Sequence, residues 1–346
     1  MHDVAKALTV ELHLLFIRSP GLQQSYLVPL SDEFPGSFNT PRFTIHPTRR
    51  KDKTSQDRSS SLRTMRILCL HGTAINATIF QSKTEKMRSF LPQDYSYEWF
   101  EGDIHVVPQK FLSDVFPGPY LTYVDMSTPD NVARALRRIE EFIESDGPFD
   151  GVMGVSEGAM LAASLLLKHQ IENPFSAPLF RFAIFISGTL PFSWSSSVGQ
   201  DVSGLITGDN PLSTDASLWQ RQADCGPVYT PLPDSEAHML ADMFPTWKSR
   251  VQVLEDLIRA PENTHLRPYC FHPDLHEERI NIPTAHVWGL QDVFKPHAEH
   301  LVRLCDTTVA AVYEHSGTHD APHSIEDNKR FSDVIRKTIL RSEFAI

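Results

Sequence analysis

The segment from Phe149 to Ala159, Phe-Asp-Gly-Val-Met-Gly-Val-Ser-Glu-Gly-Ala, constrains this chain more than any other. It opens as a short apolar run, passes through Gly154-Val155-Ser156-Glu157-Gly158, and continues into a helical pattern. An apolar run of that length fits a buried parallel strand. A strand that ends in G-x-S-x-G and feeds a helix has to turn sharply at the serine, which lifts its hydroxyl above the sheet. The two glycines admit such a turn, and the helix start behind the serine offers backbone N–H groups to a developing anion. The plainer alternative is a glycine-rich turn with an idle serine, and the strand-then-helix context weighs against it.

The rest of the chain supplies a frame for that turn. Apolar runs at 67–70, 95–100, 180–187, 284–288 and 309–314 read as strands. Helical patterns at 76–91, 129–146, 159–169, 296–305 and 324–340 fall between them. In 129–146, Val132, Leu136, Ile139, Phe142 and Ile143 share one helical face, and Gly147-Pro148 closes the helix. Strands that alternate with helices imply an α/β fold, with a doubly wound, mostly parallel sheet covered on both faces. Residues 109–128, rich in aromatics and proline, read as a loop that packs over something. Residues 189–282 break the alternation and read as a cap inserted over the carboxyl edge of the sheet.

A serine nucleophile needs a base and a group to orient that base, and in this arrangement they follow in the order Ser, Asp or Glu, His. Asp292 stands just past the strand that ends at 288, and His319 stands in the loop after the last strand. Both therefore belong at the same sheet edge as Ser156. His315 and His323 flank that loop and Asp320 adjoins His319, so they are rival candidates. His315, His319 and His323 have metal-like helical spacing, but Gly317 and Pro322 would break the helix it requires. The pair His272 and His276 lacks a third ligand at a recognisable spacing. No metal or organic cofactor is expected. The oxyanion hole is expected to use the backbone N–H of Glu157 and that of Thr73, from the His71-Gly72-Thr73 turn after the first strand.

Composition narrows the class further. A formal net charge of −11 over 346 residues argues against a nucleic-acid binder. No apolar stretch reaches the length of about 18 residues that a membrane-spanning helix needs. The four cysteines are scattered without a C-x-x-C pair, which reads as reduced thiols in a cytoplasmic protein. Residues 1–64 differ from the rest. Eight basic residues against Asp52 and Asp57 between Pro41 and Arg66, with Ser59, Ser60 and Ser61 among them, read as a disordered basic extension. The domain proper is expected to span 65–346, and Met65, directly before the first strand, is a natural place for the working protein to begin.

These residues resemble the fungal FSH-type family of serine hydrolases, within the α/β-hydrolase fold. The resemblance rests on Arg66-Ile-Leu-Cys-Leu-His-Gly72, on Gly147 to Ala159, and on Gly317-Thr-His319. It covers about residues 65–342. It implies Ser156, Asp292 and His319 as a catalytic triad. It also implies an esterase or thioesterase like those of fungal polyketide pathways, with an acyl carrier protein or polyketide synthase as a partner that delivers the substrate. The family commonly has Gln where Glu157 stands. The backbone donor survives that change, but a carboxylate beside the serine would discourage anionic acyl groups.

The expected reaction is acyl transfer from a small-molecule ester or thioester to water. Transfer to an alcohol or amine is the alternative within the class. A non-catalytic module that binds a small molecule is the alternative outside it, and the complete Ser–Asp–His set argues against that. Phe192, Trp194 and Trp219, in the insert, are plausible liners of an acyl pocket.

Overall fold

In the computed structural model, residues 64–106, 108, 112–202, 265, 267–292 and 294–344 are described. The N-terminal extension and most of the insert, with Trp219 and Cys225, lie outside the described residues.

The described residues form ten strands and six helices in chain order. The strands are β1 (Arg66–Leu70), β2 (Ser96–Phe100), β3 (Ile104–His105), β4 (Leu121–Thr122), β5 (Gly151–Val155), β6 (Phe182–Ile186), β7 (Gln200–Asp201), β8 (Tyr269–Cys270), β9 (Thr284–Gly289) and β10 (Ala311–His315). The helices are α1 (Ala77–Arg88), α2 (Leu112–Val115), α3 (Pro129–Asp146), α4 (Glu157–Glu172), α5 (Lys295–Arg303) and α6 (Ile325–Phe344). Six strands form one sheet in the order β10-β9-β6-β5-β1-β2, and every pairing in it is parallel. The chain steps outward from β1 to β2, then returns to the other side of β1 and lays down β5, β6, β9 and β10. The direction of winding therefore reverses between β1 and β5, and ligands of such sheets bind at the carboxyl ends of strands at such a switch point.

Alternation along the central strands builds two cores. Leu68, Leu70, Val152, Ala183 and Phe185 face one side, where they pack with Val132, Leu136 and Ile139 of α3 and Met160, Leu161 and Leu165 of α4. Ile67, Cys69, Met153, Phe182, Ile184 and Val287 face the other, against Phe80 and Met87 of α1 and Phe331, Ile335 and Ile339 of α6. Each of these large side chains contributes about 1.5–3 kcal/mol by leaving water. Caps fix where the helices begin. Asn76 accepts the N–H of Ile79 at 2.8 Å, and Thr128 precedes a proline at the start of α3.

The differences from the expected boundaries have local causes. The last strand begins at Ala311 because the N–H groups of Val309 and Ala310 turn back to the Asp306 carbonyl. α4 starts at Glu157, immediately after the serine, so Gly158 sits inside the first helical turn. Residues 109–128 are not wholly loop: they hold α2 and β4, and β4 pairs antiparallel with β3. A two-residue strand leaves no periodic signal. The described ends of the insert also pair, β7 with β8. Phe192 is buried in the core cluster that includes Met160, Leu161 and Leu165 of α4. Trp194 stacks on Phe271 with ring centroids 5.5 Å apart.

Candidate active site

Ser156 occupies the turn between β5 and α4 with φ 52° and ψ −114°. That left-handed region costs a non-glycine residue about 1–2 kcal/mol. The turn is held by Ser156 N–H donating to the Ile186 carbonyl at 2.9 Å, and by Met160 N–H donating back to the Ser156 carbonyl at 3.0 Å. Glycine is required on both sides. A Cβ on Gly158 would lie 2.1 Å from the Leu70 carbonyl oxygen, and one on Gly154 would lie 2.4 Å from the Gly158 backbone. Only without those atoms does the start of α4 press against the end of β1.

The two outer strands bring the partners. Asp292 follows β9, and its loop closes through Asp292 N–H on the Gly289 carbonyl at 3.0 Å. His319 follows β10. Its Nε2 lies 2.9 Å from Ser156 Oγ, and its Nδ1 lies 2.9 and 3.0 Å from the two Asp292 oxygens. A carboxylate only accepts, so Nδ1–H donates to Asp292 and Nε2 is left as the acceptor for the serine hydroxyl. Burial alone would pull His319 down, but the Asp292 charge and hydrogen bond outweigh it and hold His319 above its ordinary 6.5. Burial likewise works to raise Asp292, yet His319 and the N–H of Phe294 keep it below its ordinary 3.8. The His319 side chain is 22% exposed, so the ring is reachable from outside, while Asp292 is sealed beneath it.

The rival residues have other roles. His315 Nδ1 accepts the Gly317 N–H at 3.1 Å, which leaves Nε2–H to donate to the Asp320 carbonyl at 3.0 Å. His315 thus staples the two ends of the loop that carries His319. Asp320 pairs with Lys83 of α1, and His323 is largely exposed. In the insert, Asp274 N–H donates to His272 Nδ1 at 3.2 Å, and His272 N–H donates to His276 Nδ1 at 2.9 Å. Among the described residues, no group of three or more His, Cys, Asp or Glu is arranged to hold a metal ion, and no helix is long and apolar enough to cross a membrane. Cys69, Cys270 and Cys305 are buried free thiols.

The turn after β1 lies against Ser156. A Cβ on Gly72 would sit 3.3 Å from Ser156 Cβ. His71 is buried and pushed down to about 4, so it is neutral. Its Nε2 accepts the Gly102 N–H at 2.9 Å, and its Nδ1–H donates to the Gly72 carbonyl at 2.7 Å. Ala74 takes a left-handed φ of 60°, held by Ala74 N–H on the Leu121 carbonyl and Leu121 N–H on the Ile75 carbonyl, both 2.9 Å.

The carboxylate of Glu157 does not face an incoming acyl group, contrary to the expectation from sequence. Glu157 is 1% exposed. Its Oε2 accepts Thr73 Oγ1 at 2.9 Å and Thr122 Oγ1 at 2.6 Å. Its Oε1 accepts the N–H groups of Tyr123 and Val124, both at 3.0 Å. Burial raises it to about 7 against the pull of those four donors.

Two further residues have no signal in the sequence. Thr122 joins that buried cluster from β4. Phe294 donates its N–H to Asp292 Oδ1 at 2.8 Å and sets its ring edge-on to His319, centroids 4.7 Å apart. One residue thus touches both Asp292 and His319.

A parallel sheet with the nucleophile turn at its switch point, and an acid and a histidine on later loops of the same edge, define a serine hydrolase of the α/β-hydrolase class. Comparison with known proteins narrows this. The profile of the family described as Serine hydrolase (FSH1) matches residues 60–331. The chain is 31% identical to Hydrolase FUB4 of Gibberella moniliformis over 278 residues, 80% of this chain and 99% of that protein. It is 29% identical to Esterase alnB of Emericella nidulans over 267 residues, 76% of this chain and 92% of that one. The chain belongs to the FSH1 serine hydrolase family, and it is a serine ester hydrolase.

Proposed function

We propose that the chain cleaves an acyl thioester or oxygen ester of polyketide type through Ser156, His319 and Asp292. The observation that carries this is the unbroken chain of contacts from Ser156 Oγ to His319 Nε2 at 2.9 Å, and from His319 Nδ1 to Asp292 at 2.9 and 3.0 Å. Ser156 Oγ attacks the acyl carbonyl while His319 Nε2 takes its proton. Asp292 holds the ring in the required tautomer and offsets the imidazolium charge. The carbonyl oxygen, now negative, is met by the N–H groups of Glu157 and Thr73, at the start of α4 and beside it. Each such donor supplies about 3–4 kcal/mol to the transition state. Collapse expels a thiolate or alkoxide, which takes the proton from His319. Water then attacks the acyl-serine, giving a proton to His319, and the acid leaves as Ser156 recovers its hydrogen.

The thioester half of this reading and a carrier protein as donor rest on the family resemblance. The test is kcat/KM for one acyl group presented as a thioester and as the matched oxygen ester, with Ser156→Ala as control. Thioester preference about tenfold beyond the difference in chemical reactivity supports product release from a carrier. Equal or better ester turnover overturns the thioester assignment and leaves a carboxylesterase. Turnover that survives Ser156→Ala overturns the triad.

A further inference from the structure

Thr73 and Glu157 come from segments 84 residues apart in the chain, yet their N–H groups have to converge on one oxygen atom. Useful donors lie about 2.7–3.1 Å from an oxyanion, so a drift of half an ångström in either one leaves that window. Both segments take backbone partners from elsewhere in the chain. The turn after β1 includes a left-handed alanine, and the start of a helix has no internal partners for its first N–H groups.

One side chain joins the two. Glu157 belongs to the first turn of α4, and its carboxylate reaches behind the β1 turn to accept the Thr73 hydroxyl. The same carboxylate takes three donors from residues 122–124. Leu121, the residue before that strap, accepts from Ala74 N–H and donates to the Ile75 carbonyl on the far side of the turn. The β1 turn is therefore gripped by its side chain at Thr73 and by its backbone at Ala74 and Ile75, and both grips lead back to Glu157.

Resting on the catalytic reading above, we infer that the Glu157 side chain is a positioning residue that sets the separation of the two oxyanion donors through the Thr73 hydroxyl. Glu157 thus acts twice: its N–H is one donor, and its carboxylate places the other. The four donors around it are its function in this scheme, and they account for a carboxyl group buried next to a nucleophile where no ligand needs a charge.

The test removes the link and keeps the donor. Thr73→Val has the same shape and the same backbone N–H but no hydroxyl to give to Glu157. With p-nitrophenyl butyrate as probe, kcat is expected to fall about tenfold or more with KM within about twofold, and the melting temperature is expected to drop by a few degrees because a buried carboxylate loses one of its four donors. Thr73→Ser, which regains a hydroxyl, is expected to recover most of the lost kcat. Hydrogen exchange at the amides of Ala74 and Leu121, which donate across the turn, is expected to quicken in the valine variant and to return in the serine variant. A folded Thr73→Val protein with kcat within about twofold of the parent overturns the inference, and so does a loss that serine fails to recover. Should the valine variant not fold, Thr73→Ala takes its place with the same readouts. If the parent's turnover survives Ser156→Ala, the catalytic reading has failed instead. Amide exchange then decides the inference by itself: unchanged exchange in Thr73→Val overturns the link.

Discussion

Gly289 is where the loop of Asp292 meets the loop of His319, and adding one methyl there should uncouple them. In Gly289→Ala the new Cβ would lie 2.1 Å from the Gly317 carbonyl oxygen and 2.3 Å from that of Thr318. Real Cβ atoms essentially never approach other atoms within 3.0 Å, and both obstacles are backbone, so one loop has to retreat by about 1 Å. The retreat acts on the hydrogen bonds that register the loops: Leu290 N–H to the His315 carbonyl at 2.7 Å and Gln291 N–H to the Gly317 carbonyl at 3.0 Å. Asp292 lies three residues beyond the wedge and His319 two beyond Gly317, so their 2.9 Å contact widens with it. A misplacement of about 1 Å in a catalytic group costs on the order of 100-fold in rate. Overpacking of this kind costs about 1–3 kcal/mol in stability, which lowers the melting temperature by about 2–10 °C. The assay is kcat/KM on p-nitrophenyl butyrate, with Ser156→Ala as the blank and a thermal melt beside it. A folded Gly289→Ala protein with kcat/KM within about threefold of the parent would show that the loops do not depend on this approach, and would refute the reasoning.

Three further outcomes are expected. His319 must be neutral to take a proton and is held above 6.5, so kcat/KM rises with pH through a midpoint above that value; Asp292→Asn moves the midpoint down and slows turnover, and a parent midpoint below 6.5 contradicts this. Glu157 titrates near 7 when folded against an ordinary 4.5, so the folded state binds the extra proton between those values and its stability falls as pH rises through them. Glutamine at 157 is free of that loss, so the melting temperature of Glu157→Gln relative to the parent should climb from about pH 5 to about pH 8; a constant difference would deny any cost to the charge. Phe331 is fully buried between α6 and the sheet, so Phe331→Ala should cost about 3–5 kcal/mol in urea unfolding, and a loss under about 1 kcal/mol would mean that α6 is not packed as described.

The sheet was readable because strands buried on both faces are near-continuous apolar runs. Phe182 to Ile186, all apolar and all buried, is the clearest case. That Ser156, Asp292 and His319 come together was readable by position, since loops that follow parallel strands share one edge. Glu157 was misjudged for a geometric reason. Adjacency in sequence to a nucleophile says nothing about direction, and the first turn of a helix aims its side chains around the axis, here back under the β1 turn. Thr122 and Phe294 left no trace at all. Their contributions come from a two-residue strand and from a ring that meets His319 only after the chain has closed.

The 163-residue separation between Ser156 and His319 has a consequence for how this enzyme fails. The Ser156 turn grows from β5, in the interior of the sheet, whereas His319 hangs from β10, which among the described residues is an edge strand paired with β9 alone. Under rising denaturant the edge frays before the interior does. Turnover should therefore vanish while most of the sheet is still intact, leaving an ordered protein with a silent serine. A loss of activity is then an early report from the rim of the fold, and its recovery on refolding marks the last strand to return.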